Sequence, residues 1–394
     1  MINKDLNYIY NNTKSLKRNI YPHKLTKSTI PLQIKFLKEN ELNFEIEHLK
    51  EKKGRIIHLK DKENKNIGTI ERSAYPSNSK LGKYLTSNKL KTEQHLKKFN
   101  IRTTNSKIYD NDEVQLAKDE TFEDPNKRVV IKPLISTLGN GVMVNVNKER
   151  FEYNWSQCLK SKYGNKGKIM VQDFLEGFEA RATIMLGKLI SIVVRVPPHV
   201  KGNGVNSLEK LVELKNEERL QDGYLKHIPL VIDERVVEFL RTSNLDLNYL
   251  PKKNEYVLLS SVSNTRFGGE LINVTNLVSE EIKELALNSL ATIPGFSSGG
   301  IDIMMKSFED KNPAVIEINS FPVIAIPTFP TYGKMENPAK YYIESYLTID
   351  QYINKKTNKY KFKKENEYLL EYFSFLQRKE KLFKENYSLL RDSF

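Results

Sequence analysis

Several features that would narrow the function are rare or missing in this chain of 394 residues. Its single cysteine, Cys158, excludes a disulfide within the chain, and its six histidines lack the spacing of zinc ligands. No apolar run approaches the roughly 20 residues of a membrane span, and the N-terminus lacks the apolar core of a signal peptide. We therefore expect a folded, cytoplasmic protein with no membrane partner, and neither thiol chemistry nor zinc is indicated.

The composition shows an excess of positive charge. Lysine and arginine number 63 against 49 acidic residues, which gives a net charge of +14 at pH 7. Such a balance is compatible with nucleic acid, an anionic membrane surface or acidic small substrates. The lysines are spread among many glutamates, and the sequence contains no aromatic and basic module of the kind that binds RNA. We therefore expect no nucleic-acid partner.

The order of strand-like and helical segments predicts an α+β (or α/β) protein with substantial antiparallel pairing. One helix is expected from Ile30 to Leu49 and another from Lys83 to Phe99. The predicted units are an N-terminal α/β lobe (1–82), a first lobe (83–170), a second lobe (171–348) and a helical C-terminal extension (349–394).

The C-terminal extension contains no glycine or proline, and its apolar residues recur at helical spacing. We expect this helix to pack on the body of the protein or on a second subunit, and the second case predicts a homodimer. The apolar positions that carry the pattern are Leu369, Tyr372, Phe373 and Leu376.

The most informative motif is the apolar run Ala314–Asn319. Alternation along a strand places its two polar residues, Glu317 and Asn319, on one face. A second short apolar run upstream carries Asp302, as two paired strands that converge on one cation would require. Hard oxygen ligands of this kind suit Mg²⁺, with phosphates completing the shell. Either carboxylate alone could instead pair with one of the many lysines.

A second motif joins a lysine to a glycine-rich turn. Lys132 lies at the end of a strand-like run, and Gly139 and Gly141 follow it. An amine next to bare backbone amides suits a triphosphate. An ordinary hairpin turn has the same composition. The segment is not a Walker loop, because no Gly-Lys-Ser/Thr occurs in it.

A third motif, from Val171 to Arg181, is typical of a hinge between two lobes. Main-chain groups of three consecutive residues could hydrogen-bond an adenine edge there. Glu179 could accept hydrogen bonds from ribose hydroxyls, or it could face solvent on a strand. The three hinge residues are Asp173, Phe174 and Leu175.

Taken together and in order, these segments resemble the ATP-grasp superfamily, in particular the ligase domain of cyanophycin synthetase and the related glutathione-synthesising fusion enzymes. The resemblance covers roughly residues 80–348. Its most specific part runs from Arg195 to Gly204 and reads Arg-x-Pro-x-x-Val-x-Gly-Asn-Gly. The resemblance implies an ATP-grasp fold, in which two α+β lobes clamp ATP between them.

The resemblance also implies roles for the nucleotide-binding residues. Lys89 and Lys132 match the two lysines that bind the nucleotide. Gln172 stands where the family has a glutamate near the adenine amino group, and its side-chain oxygen can still accept that hydrogen bond.

The metal-binding and catalytic roles follow in the same way. The residues that match the ligands of Mg²⁺, for which Mn²⁺ is an alternative, are Asp302, Glu317 and Asn319. A guanidinium fork could hold the substrate carboxylate or a tetrahedral oxyanion, although each arginine could instead make a structural ion pair. The candidate arginines are Arg181, Arg195 and Arg266.

The implied reaction is the ATP-dependent joining of a carboxylate to an amine through an acyl phosphate, with release of ADP and phosphate. The expected partners are amino acids or peptides as substrates. Two alternatives stay open: a kinase that uses the same nucleotide site, and an ATP-binding module that has lost turnover.

Overall fold

The structure is a computed structural model that describes residues 3–49, 54–71, 75–136, 139–263 and 267–386. The helices are α1 (Asn3–Asn12), α2 (Thr29–Glu39), α3 (Lys80–Thr86), α4 (Lys89–Lys98), α5 (Val114–Thr121), α6 (Phe151–Lys160), α7 (Leu208–Leu220), α8 (Glu234–Arg241), α9 (Glu280–Thr292), α10 (Ala325–Thr328), α11 (Pro338–Ile353) and α12 (Glu365–Glu385). The strands are β1 (Phe44–Leu49), β2 (Gly54–Lys60), β3 (Asn66–Ile70), β4 (Ser106–Tyr109), β5 (Val129–Pro133), β6 (Met143–Val146), β7 (Ile169–Asp173), β8 (Phe178–Met185), β9 (Lys188–Val196), β10 (His199–Lys201), β11 (Tyr256–Leu258), β12 (Glu270–Asn273), β13 (Gly299–Met305) and β14 (Ala314–Asn319).

Two antiparallel sheets dominate the architecture. The larger has five strands in the order β12-β9-β8-β13-β14, and the other has four in the order β4-β7-β5-β6. A three-stranded sheet, β1-β2-β3, and a two-stranded ribbon, β10-β11, complete the described part. The prediction of an α+β fold with antiparallel pairing is confirmed. None of the described helices is both long and apolar enough to cross a bilayer.

The five-stranded sheet has one apolar face and one charged face. Ile301 and Ile303 of β13 and Ile318 of β14 are buried in the largest core, where α9 covers them. Asp302 and Glu317 alternate with these residues along the same strands. Because successive side chains of a strand point to opposite sides of a sheet, the strands that build the core also present the charged groups on the other face.

The N-terminal segment contributes to two different cores. Leu6 and Ile9 of α1 are fully buried in the core under the five-stranded sheet. In contrast, Ile57 of β2 packs in a second core with Tyr342 of α11. Side chains from the first 70 residues therefore stabilise both the body of the protein and a peripheral layer that includes α11.

Two elements cross boundaries between the predicted units. β7 runs through the boundary at residue 170, and α11 runs through the boundary at residue 348. The division into four units stays a prediction. Boundaries that keep β7 and α11 whole would lie at Asp173 and Ile353.

The helix predicted from Ile30 to Leu49 is wrong in its second half. α2 ends at Glu39, and Phe44–Leu49 forms β1, which pairs with β2. Within β1 the half-buried Phe44 and Ile46 alternate with an exposed glutamate, which is the period of a strand and not of a helix. Cross-strand pairing therefore decides the structure of this segment.

The helix predicted from Lys83 to Phe99 is divided in two. α3 ends at Thr86, and the side chain of Asn88 accepts a hydrogen bond from the backbone N–H of Lys91 at 3.0 Å. An asparagine in this position caps a new helix. The cap starts α4 at Lys89, so this lysine lies in the first turn of a helix.

The C-terminal extension is helical, as predicted, and α12 packs against α9 and α11 of the same chain. The residue that enters the main core is Phe375, which is 2% exposed. The neighbouring Leu376, one of the positions that carried the helical pattern, is 36% exposed. The helix therefore enters this core through Phe375, while Leu369 and Tyr372 of the predicted pattern lie half-buried against the second core.

Replacing Phe375 by alanine tests whether α12 is part of the core. We expect Phe375→Ala to lower the free energy of unfolding by about 3–5 kcal/mol, because a buried aromatic ring leaves a cavity. Leu376→Ala is the matched control, with an expected loss below about 1 kcal/mol at an exposed position. Denaturant unfolding measures both. Equal losses would contradict the packing of α12 described above.

Candidate active site

Strand register brings the charged residues of the five-stranded sheet together on one face. Asp302 of β13 lies directly opposite Glu317 of β14 on one side and Arg181 of β8 on the other. Directly opposed residues of neighbouring antiparallel strands share a face. Asn319 lies two residues beyond Glu317, opposite Gly300, and therefore also on this face.

Asp302 is held by two arginines. Arg181 donates to both carboxylate oxygens, with Nη2 at 2.8 Å from Oδ2, and Nη2 of Arg195 lies 3.2 Å from the same Oδ2. Asp302 is 4% exposed and Arg181 is 6% exposed. Burial alone would raise the pKa of Asp302, but the two arginines outweigh it and hold the pKa below its usual range. The carboxylate is therefore ionised at neutral pH.

The ion pairs continue from Asp302 to Glu179. Arg195 forms an ion pair with Glu179 as well as with Asp302. The four side chains thus form a chain of alternating charge in the order Arg181, Asp302, Arg195, Glu179. Glu179, which was predicted to bind ribose hydroxyls, has Arg195 as its partner here.

Gly300 makes room for the guanidinium of Arg181. A Cβ atom at position 300 would lie 3.0 Å from Cδ and 3.1 Å from Nη1 of Arg181. Contacts this short require the neighbour to shift. The glycine two residues before Asp302 therefore allows Arg181 to lie flat across β13.

The oxygen donors of this face fit a hard divalent cation. Asp302 and Glu317 supply carboxylates, Asn319 supplies an amide, and its Nδ2 lies 3.5 Å from Oδ2 of Asp302. The arginines make three contacts with the Asp302 carboxylate and Nδ2 of Asn319 makes a fourth, long one, so a metal at Asp302 would take the place of this amide contact. In the described ranges no group of three or more His, Cys, Asp and Glu side chains could hold a metal ion alone. Phosphate oxygens would therefore have to complete the shell.

The two predicted lysines approach this face from the other lobe. Lys132, at the end of β5, is 6% exposed and donates from Nζ to Oε1 of Gln172 at 2.9 Å. Burial lowers the pKa of Lys132 to about 8, while the nearby Glu317 acts in the opposite direction. Lys89 donates to the backbone oxygen of Ser136 at 3.2 Å. Because Glu317 and Lys89 both act electrostatically on Lys132, the two lysines lie near the charged face.

The glycine turn has the backbone conformation that its sequence predicts, and the hinge residues connect β7 to β8. Gly139 and Gly141 have φ angles of +73° and +76°, which favour glycine. In the hinge, Asp173 pairs with Lys127 at 3.0 Å. The other predicted hinge residues, Phe174 and Leu175, lie half-buried between β7 and β8.

Some predicted site residues are placed elsewhere or are not covered. Arg266 lies outside the described residues. Gln172 accepts from Lys132 through its side-chain oxygen, and its predicted contact with the adenine amino group stays a prediction. His199, considered as a base, is buried outside the charged face, where Tyr10 and Lys215 contact its ring. Burial and Lys215 lower the pKa of His199 to about 4, so the ring is neutral.

Glu93 was not among the predicted site residues. This residue is 4% exposed and accepts hydrogen bonds from Thr104, Ser106 and Lys97. A signal was present, because Glu93 follows Lys89 by four residues and therefore lies one helical turn away on the same side of α4.

Comparison with known families identifies the fold that carries these residues. A family model described as an ATP-grasp domain matches residues 86–322, more than half of the 394-residue chain. The chain belongs to the ATP-grasp family. The matched range contains all the described candidate residues discussed above.

Curated relatives of this ATP-grasp chain include glutathione biosynthesis bifunctional proteins. That of Clostridium perfringens is 29% identical over 256 residues, which cover 64% of this chain and 32% of the relative. That of Pasteurella multocida is 29% identical over 262 residues, which cover 64% of this chain and 34% of the relative. The chain thus spans about a third of the length of the curated relatives it matches.

A solved structure shares the fold. The crystal structure of a bifunctional glutathione synthetase from Pasteurella multocida aligns with a TM-score of 0.57 and 21% identity, covering 80% of this chain and 43% of that chain. The predicted ATP-grasp fold is confirmed.

The lowered pKa of Lys132 predicts that nucleotide affinity depends on pH. If Lys132 binds a phosphate, as predicted, it does so as the ammonium form, and burial lowers the pKa of this group to about 8. Affinity for Mg-ATP should therefore be highest below about pH 8 and fall above it, by up to about tenfold per pH unit. Calorimetric titration from about pH 7 to about pH 9.5 measures this slope. Lys132→Gln should bind more weakly and without the slope; a slope that persists in this variant would assign it to another group.

Proposed function

We propose that this protein is an ATP-dependent ligase that joins a carboxylate to the amine of an amino acid or peptide and releases ADP and phosphate. The observation that carries the proposal is the set of Asp302, Glu317 and Asn319 on one sheet face, with Lys132 within electrostatic reach of Glu317. This set combines metal ligands with phosphate-binding lysines. Membership of the ATP-grasp family and the glutathione-synthesising relatives support the same reaction class.

In this proposal the nucleotide lies between the two sheets. Lys89 and Lys132 bind phosphate oxygens, and the turn with Gly139 and Gly141 covers them with backbone N–H groups. The hinge residues 173–175 hold the adenine edge. Glu179 is already paired with Arg195. It can therefore accept hydrogen bonds from the ribose hydroxyls only while it keeps this ion pair.

Asp302, Glu317 and Asn319 are proposed to hold Mg²⁺, or Mn²⁺, together with the phosphates. A bound ion would neutralise charge on the transferred phosphoryl group. The protein's own contribution is to orient these ligands. Arg181 and Arg195 fix the Asp302 carboxylate, so it is oriented before a metal binds.

Arg195 is the described arginine that we favour for holding an oxygen of the substrate. Its Nε is buried and has no hydrogen-bond partner in the described part of the chain. A buried donor without a partner is costly, and a ligand that accepts from it removes that cost. A carboxylate or tetrahedral oxyanion is such an acceptor, and donors held in place before reaction stabilise developing charge.

The decisive experiment is to incubate the protein with Mg-ATP and pools of amino acids and dipeptides, and to follow ADP and phosphate release with mass spectrometry of the products. A ligase requires the amine for release of free phosphate and yields a product heavier by an acyl group. A phosphorylated product without free phosphate would identify a kinase. ATP binding without turnover in any pool would identify a module that has lost catalysis.

A carboxylate-to-amide change at position 317 tests the metal assignment. We expect Glu317→Gln to lower turnover by about 100-fold or more, because a charged metal ligand is lost. The unfolding midpoint should change little, since Glu317 is only half buried. Steady-state kinetics and thermal unfolding measure the two effects.

Glu309→Gln is the matched control, because Glu309 is an exposed glutamate in the turn between β13 and β14. We expect its turnover to equal that of the unchanged protein. Full activity of Glu317→Gln would refute the metal assignment.

A further inference from the structure

The amide of Gln172 has a hydrogen-bond donor at its oxygen and hydrogen-bond acceptors at its nitrogen. Its oxygen accepts from Nζ of Lys132 at 2.9 Å. Its nitrogen donates to Oγ1 of Thr104 at 2.7 Å and to Oγ of Ser106 at 3.0 Å. Gln172 is itself 4% exposed, so these contacts are shielded from water.

Glu93 determines the direction of these hydrogen bonds. The hydroxyls of Thr104 and Ser106 both donate to Oε2 of Glu93, at 2.8 Å and 2.6 Å. A hydroxyl has one proton, so each of these hydroxyls can only accept from Gln172. A carboxylate accepts only, and Oε2 of Glu93 also lies 3.5 Å from Nε2 of Gln172.

The orientation of the amide is therefore unambiguous. Lysine offers donors only, so the atom of Gln172 that faces Lys132 has to be oxygen. The opposite orientation would place NH₂ against an ammonium group and oxygen against a carboxylate. A free glutamine side chain has no such preference, because its two ends have nearly the same shape.

Strand register places Gln172 beside Lys132. Val130 lies opposite Gln172, and Lys132 is two residues farther along β5, so both side chains lie on the same face of the four-stranded sheet. Lys132 is within electrostatic reach of Glu317. The second lone pair of the Gln172 oxygen thus remains for a donor on the nucleotide.

We propose that Glu93 is a positioning residue that, through Thr104 and Ser106, holds the Gln172 amide with its oxygen toward the nucleobase and so selects a base with an amino group over one with a carbonyl group. The inference rests on the proposed nucleotide site and goes beyond it by naming what sets its choice of base. Adenine donates from its exocyclic amine, whereas guanine presents an oxygen at the same place. An acceptor fixed in the cleft favours the first and repels the second.

The test compares the binding of ATP and GTP, each with Mg²⁺, by calorimetry on the full chain. We expect the unchanged protein to bind ATP at least about tenfold more tightly than GTP, equivalent to about 1.4 kcal/mol. Glu93→Gln should reduce this ratio to about threefold or less, because a neutral amide at position 93 both donates and accepts and no longer fixes the hydroxyls.

A charge-conserving double variant provides the rescue. In Glu93→Gln with Gln172→Glu, the carboxylate moves to position 172, where it presents oxygen at both ends and cannot be turned the wrong way. The ATP preference should return to at least about tenfold. Thr104→Val, which removes one acceptor of the Gln172 nitrogen and leaves Glu93 in place, should lower the ratio in the same direction if Glu93→Gln does not fold.

The matched control is Glu120→Gln. Glu120 accepts from Lys107 and from the hydroxyl of Tyr109, also residues of β4, but these two residues lie on the face of β4 opposite to Ser106. The ratio of ATP to GTP affinity should not change.

Two failures are distinguishable. If Glu93→Gln or Thr104→Val weakens ATP and GTP binding by the same factor, Glu93 only supports the fold and the inference is overturned, while the nucleotide site stands. If the unchanged protein binds neither nucleotide, the proposed function itself is overturned.

Discussion

The buried carboxylate of Asp302 between Arg181 and Arg195 is the interaction on which the site depends. Taking three charges out of water is costly, and such a cluster is tolerated only when each charge has a well-placed partner. Here the partners come from neighbouring strands of one sheet, whose pairing is in turn stabilised by the apolar residues of the opposite face. The packing of the core thus fixes the electrostatics of the site.

The two sheets carry different functional groups of the candidate site. The five-stranded sheet carries the acidic groups and the arginines, while the four-stranded sheet and α4 carry the lysines and the glutamine that faces them. Lys132 belongs to the second group but responds to Glu317 of the first. A polyanion bound between the sheets would therefore interact with both groups at once, which is the arrangement that an ATP-grasp fold provides.

Strand alternation is a local property, and for that reason the sequence could predict that Glu317 and Asn319 share a face and that Asp302 belongs near them. The pairing of Arg195 with Glu179 and Asp302 depends on how three strands align, which a single sequence does not reveal. The hydrogen bonds that connect Glu93 to Gln172 through Thr104 and Ser106 join segments almost 80 positions apart. Local pattern also misled at Phe44–Leu49, where pairing with β2 overrides an apparently helical segment.

The largest core contains Leu6 and Ile9 from α1 together with Phe375 from α12. Side chains from both ends of the described sequence are thus needed to close the same apolar interior. During synthesis on the ribosome, the sheet that carries the site would have its strands available long before α12 leaves the exit tunnel, and part of its apolar surface would stay uncovered until then. Contacts between such distant segments slow folding and prolong exposure of apolar surface. The core beneath the site should therefore close late in folding, after α1 and α12 have both docked.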